Sequence, residues 1–119
     1  GLSSALRSIL SDFTRIEGVN GACIISKDGF VVEHVMPGIT MDLDALAAMI
    51  VTIYGASGRL SEELKLGDLD LMTLEYLNNI VLIEDLGDVL LTVIADRRAI
   101  LGRIRYEIKR QKDRIKAAL

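Results

Sequence analysis

Few residues in this 119-residue chain are of the types that do covalent or acid–base chemistry. Ser57 lies in Gly55-Ala56-Ser57-Gly58-Arg59. A serine nucleophile needs a sharp strand-to-helix turn and a histidine base. A phosphate-binding loop needs a closing Gly-Lys-Ser/Thr. The segment has neither, and its small residues suit close helix packing. His34, the sole histidine, follows Glu33 in a strand-like run and reads as an ordinary surface or core residue. Cys23, the sole cysteine, sits among apolar residues as a small core hydrophobe. One cysteine excludes a disulfide framework, and with one histidine it argues against a metal centre. Asp42 and Asp44 are two apart, hence on different helical faces, and a capping role suffices for either. Glu84-Asp85 and Asp88 flank a turn, where acids are ordinary. The expectation is no enzyme, no cofactor and no metal, and a protein that acts by presenting surfaces.

The elements that carry these residues follow from periodicity. Ser3 or Ser4 is placed to cap a helix running to about Ile16, with Leu6, Ile9, Leu10, Phe13 and Ile16 at helical spacing. Gly18-Val19-Asn20-Gly21 reads as its stop, and Ala22–Ser26 as a strand. Lys27-Asp28-Gly29 predicts a hairpin turn with the Asp-Gly pair at positive φ, returning through Phe30–Met36 to Pro37-Gly38. Asp42 or Asp44 opens a second helix to about Leu66, closed by Gly67-Asp68. Strands at about Leu69–Leu77, Ile80–Glu84 and Val89–Ala95 are separated by Asn78-Asn79 and Leu86-Gly87-Asp88. A last helix spans about Arg98 to Ala117. The order αββαβββα, with tight turns between strands, predicts one α+β domain over residues 1–119 with helices layered on an antiparallel sheet.

Composition limits what such a domain does. Apolar residues are 50% of the chain and aromatics only 4%. Five aromatics are too few for a stacking platform on single-stranded nucleic acid. No apolar run reaches the roughly 18–20 residues of a membrane span, and the N-terminus lacks the basic-then-apolar plan of a signal peptide. A cytoplasmic protein is expected. The net charge of −3 is unevenly spread. From Arg97 to Lys116, nine basic residues oppose Glu107 and Asp113, a net of +7. The remainder carries five basic and fifteen acidic residues, a net of −10. The basic end is either a solvated helix face or a docking surface for an acidic partner.

Leu43–Ala56 is the most informative stretch. It is apolar nearly all round, with only Asp44 and Thr52 distinctly polar. A helix on one sheet buries one stripe and keeps the other polar. In so small a domain a partner must cover the second stripe, most simply another copy around a two-fold axis. Leu69–Leu77, with Asp70, Thr73 and Glu75, fits a sheet edge that a second copy could extend. The expected dimer interface is therefore Leu43, Ala45, Ala48, Met49, Thr52, Tyr54 and Ala56 on the helix, and Leu71, Thr73 and Glu75 on the strand.

Ile16-Glu17-Gly18-Val19-Asn20-Gly21-Ala22-Cys23 through Lys27-Asp28-Gly29, and later Leu91-Thr92-Val93-Ile94-Ala95-Asp96 followed by Leu101-Gly102-Arg103-Ile104-Arg105, resemble the opening and closing signatures of the roadblock/dynein light-chain family. The likeness covers essentially the whole chain, and a single short domain of this kind resembles prokaryotic members. It implies a profilin/roadblock-like fold: a five-stranded antiparallel sheet, the central helix on one face and the terminal helices on the other. It also implies homo- or heterodimers through the second helix and third strand, and adaptors that bind and regulate small Ras-like GTPases. The family has no catalytic residues to carry over. Asp44, Arg59, Glu62, Arg103, Lys109 and Arg110 are candidate partner contacts. Alternatives are a dynein-type light chain, a signalling scaffold, a small-ligand sensor, or a membrane or nucleic-acid adaptor using the basic last helix.

Overall fold

The computed structural model describes residues 2–119, with side chains from 4 onward. Three helices and five strands follow the order α1 (Leu2–Thr14), β1 (Val19–Ser26), β2 (Val31–Val35), α2 (Leu43–Leu64), β3 (Leu71–Glu75), β4 (Asn79–Asp85), β5 (Val89–Asp96) and α3 (Leu101–Ala117). The sheet order is β2-β1-β5-β4-β3, and every neighbouring pair is antiparallel. The apolar run of β5 occupies the centre, as a strand covered on both faces must. The short β2 and β3 are the edges.

Alternation along the strands divides the core in two. Ala22, Ile24, Leu82, Leu91 and Val93 face α1 and α3, meeting Leu6, Leu10, Phe13, Ile104, Ile108 and Ile115. Cys23, Ile25, Ile83 and Leu90 face the other way, meeting Leu46, Ala47 and Ile50 of α2. The expected α+β architecture, with α2 alone on one face, is the one observed.

Several boundaries differ from the sequence reading. α1 already begins at Leu2, so Ser4 lies inside it, and the Ser3 side chain falls outside the described residues. Its regular part ends at Thr14; Ile16 and Val19 N–H groups then bond to Phe13 and Ile16 carbonyls in tight turns. β1 begins at Val19 rather than Ala22, because Gly18 at φ +86° turns the chain straight into pairing with Ala95. At the first hairpin only Gly29 takes positive φ, not the Asp28-Gly29 pair. α3 starts at Leu101, because Asp96 holds the Arg98 and Ala99 N–H groups in a turn of its own. Asp42 is the α2 cap, accepting from the Asp44 and Ala45 N–H groups. Lys65 closes that helix in the left-handed region at φ 55°, ahead of Gly67. α2 thus runs for 22 residues, longer than the four apolar turns taken as too short to cross a bilayer, and by length and composition it meets that requirement. It lies on the sheet through Leu46, Ala47 and Ile50, with Asp44 in its first turn and Glu62 and Glu63 near its end.

Gly18 fixes the junction between α1, β1 and the entry to α3. A Cβ there would sit 2.5 Å from the Ala99 nitrogen, on a backbone that L residues rarely adopt. Gly18→Ala should destabilise the fold by roughly 2–3 kcal/mol in urea unfolding. An unchanged midpoint would show that this junction gives way easily.

Candidate functional site

The outward side of α2 is built by the spacing of its small residues. Ala45, Ala48, Met49, Thr52 and Ala56 recur three or four apart and are all exposed, forming one stripe opposite Leu46, Ala47 and Ile50. Met49 is 51% exposed, and Leu60 and Leu64 beyond it are 55% and 61% exposed. A shallow hollow of about 360 Å³ lies along the stripe between Ala48, Met49, Thr52 and Ile53. The Thr52 hydroxyl donates back to the Ala48 carbonyl at 2.8 Å, so its one donor is satisfied within the helix. Leu43 and Tyr54 turn inward instead and pack against the sheet.

The second part of the candidate surface is the β3 edge. β3 bonds to β4 in the register Leu71↔Glu84 to Glu75↔Ile80. Its other side carries no strand among the described residues. Leu71 packs into the α1/α3 core, Thr73 accepts from Arg105 at 3.4 Å, and Glu75 is exposed.

Charged groups secure both helix layers to the sheet. On the α2 side the Tyr54 hydroxyl donates to Asp85 Oδ2 at 2.6 Å, and Lys27 Nζ pairs with Asp85 Oδ1 at 3.0 Å. Lys27 also lies 4.9 Å from the Tyr54 ring centre. Burial works to raise the Asp85 carboxyl, but hydrogen bonds from Tyr54, the Gly87 N–H and Lys27 outweigh it and hold it below the usual carboxylate range. The same bond to Asp85 pushes the Tyr54 hydroxyl up. On the α3 side Glu84 is fully buried, and its Oε1 accepts from Lys109 at 2.7 Å and Lys112 at 3.5 Å. Lys109 also reaches Asp70 at 2.7 Å, which lowers the Asp70 carboxyl and raises the lysine. An open polar hollow of about 590 Å³ lies between the two clusters, with Asp68, Asp88 and Lys112 on its walls.

Glu84 and Asp85 are therefore more than turn acids. Ile80, Leu82 and Glu84 alternate on one face of β4, and an acid at the third inward position calls for cations on the covering helix. Lys109 and Lys112, three apart on α3, are that signal. Of the candidate partner contacts, Lys109 is thus engaged within the fold, and Arg110 pairs with Glu107 at 2.6 Å. Asp44, Arg59, Glu62 and Arg103 are exposed.

A two-sided helix over a five-stranded sheet with a free third strand is a specific architecture. The Roadblock/LC7 domain model matches residues 6–95. The chain belongs to the Roadblock/LC7 family. An uncharacterized protein of Methanocaldococcus jannaschii is 34% identical over 116 residues, 98% of each chain. Among solved structures, the gliding protein MglB of Thermus thermophilus superposes with TM-score 0.88 at 20% identity, covering 99% of this chain and 90% of that one. An MglB with a tetrameric arrangement gives TM-score 0.90 at 21% identity, covering 100% and 93%. At these identities the likeness is one of fold. α3 lies beyond the family match.

Asp85 makes a pH test of the α2 anchorage. Its carboxyl is lowered in the fold, so its contribution is present above the unfolded value of ~3.9 and is lost as pH falls below it. Asp85→Asn should cost about 1 kcal/mol at neutral pH and lose less stability than the wild type from about pH 5 to about pH 3. Parallel acid profiles would mean that Asp85 does not anchor α2.

Proposed function

We propose that this Roadblock/LC7 chain is a homodimeric, non-catalytic cytoplasmic adaptor that binds and regulates a small Ras-like GTPase. The observation that carries the proposal is the exposed apolar stripe Ala45–Ala48–Met49–Thr52–Ala56 on a helix whose opposite side is already buried. Contiguous apolar surface left in water supports an interface reading. A two-fold axis perpendicular to the sheet would lay the α2 helices of two copies side by side and antiparallel, the flank of one stripe against that of the other, and its alanines would let the two helix backbones approach closely. The same axis would set the β3 edge of one copy, with Leu71, Thr73 and Glu75, beside that of the other and join two sheets into one. Leu43 and Tyr54 would support the seam from beneath.

Paired α2 helices would form a platform whose rim carries Asp44, Arg59 and Glu62. On the opposite face Arg103 of α3 would supply a further partner contact, whereas Lys109 and Arg110 are already paired within the fold. The GTPase reading rests on the family and on the fold shared with MglB. In this reading the platform supplies no reacting group of its own. Any effect on GTP hydrolysis would arise from holding the GTPase's own switch segments in an ordered arrangement.

Ala48→Arg places a charge at the middle of the stripe. It should yield a folded monomer at micromolar concentration in sedimentation velocity, with lowered thermal stability. Purified Ras-like GTPases from the source organism, loaded with GDP or a GTP analogue, should bind the wild type and lose affinity for this variant. A dimeric, equally stable variant would displace the interface. Failure of every GTPase in both nucleotide states would remove the partner assignment.

A further inference from the structure

The opposite edge of the sheet, β2, is fastened by side chains. In an antiparallel pair, successive residues point their backbone groups alternately toward and away from the neighbouring strand. Opposite Cys23, His34 faces away: its N–H donates to Glu33 Oε1 at 3.0 Å, and its carbonyl accepts from Arg7 Nη1 at 3.4 Å. The same Arg7 nitrogen lies 3.5 Å from Glu33 Oε1. One guanidinium and one carboxylate thus occupy both outward backbone groups of His34 and pair with each other. The pairing with β1 skips Val32, a bulge that breaks the edge on one side of His34, and Pro37 follows on the other. His34 is the regular position left between them. Beside it a hollow of about 350 Å³, lined by Arg7, Ser11, His34, Val35, Met36 and Pro37, is large enough to take an incoming side chain.

We propose that Arg7 and Glu33 form a latch that keeps the β2 edge from pairing with β2 of a second copy. This rests on the dimer reading in one respect. Two sheets joined at β3 end in β2 on both sides, so an open β2 edge would let assembled pairs add to one another without limit. Edge strands pair with what is available unless they are blocked. The latch blocks β2, whereas no comparable pair of side chains covers β3 among the described residues. The two edges of one sheet are thereby assigned opposite fates, one to join and one to stay closed.

The test compares masses by sedimentation velocity over a concentration series, each read against the wild type's own. Glu33→Ala and Arg7→Ala should each at least roughly double the wild-type mass as concentration rises. Glu33→Ala combined with His34→Pro removes the outward N–H and should return the mass to that of the wild type. Circular dichroism checks that each variant is folded; the two single substitutions lie on different elements, so one misfolding leaves the other to decide. Single variants that keep the wild-type mass overturn the latch. Growth that persists with His34→Pro also overturns it, because that growth does not run through β2 backbone pairing. A monomeric wild type would defeat the dimer reading and leave the comparison between variants intact.

Discussion

A sheet has two faces, and in this chain they are covered unequally. α1 and α3 share one face and close a core around Phe13, Leu10, Ile104, Ile108 and Ile115, all without solvent exposure. The other face has α2 alone, and of its 22 residues only Leu46, Ala47 and Ile50 are buried. The same helix that seals the second core presents an apolar stripe to solvent. Burial of apolar surface is the main favourable contribution to folding and association, so a helix apolar on both sides serves folding with one side and leaves the other available for association. The position of α2, the anchorage of its far side by Tyr54, Lys27 and Asp85, and the proposed pairing of copies all follow from that constraint.

The charge distribution has a related explanation. A basic last helix beside an acidic body reads from composition either as a solvated face or as a docking surface for an acidic partner. Much of the opposition is resolved within the molecule. Lys109 and Lys112 meet Asp70 and the buried Glu84, Arg110 meets Glu107, and Arg98 meets Asp96 at 2.9 Å. Glu84 is the residue on which this layer turns, since a carboxylate removed from water is tolerated only beside cations that neutralise it. α3 is held over the sheet by electrostatics as well as by its isoleucines, and the outward cations that remain, such as Arg103, are fewer than composition suggests.

The order of the eight elements, the sheet edge at β3 and the excess apolar face of α2 were legible in the sequence, because each depends on periodicity within one segment. Boundaries were not legible where turn chemistry and pairing coincide. Gly18-Val19-Asn20-Gly21 has the composition of a loop, yet Val19 pairs with Ala95, and the Asn20 amide donates to Asp96 at 3.0 Å. Arg98 reads as a helix start, yet Asp96 captures its N–H and its guanidinium. The Glu84 cluster and the Arg7–Glu33 pair each join residues more than twenty positions apart, and only the folded sheet brings them together. Leu43 and Tyr54 share the apolar character of the outward stripe but face inward, a distinction that depends on how α2 is rotated on the sheet.

The central claim is that a second copy covers the outward stripe of α2. Sedimentation equilibrium of the wild-type chain at micromolar concentration tests it most directly. The account predicts a single species of twice the chain mass that dissociates only on strong dilution or when Ala48 is replaced by Arg. A species of one chain mass across that range, with α2 still folded by circular dichroism, would contradict it.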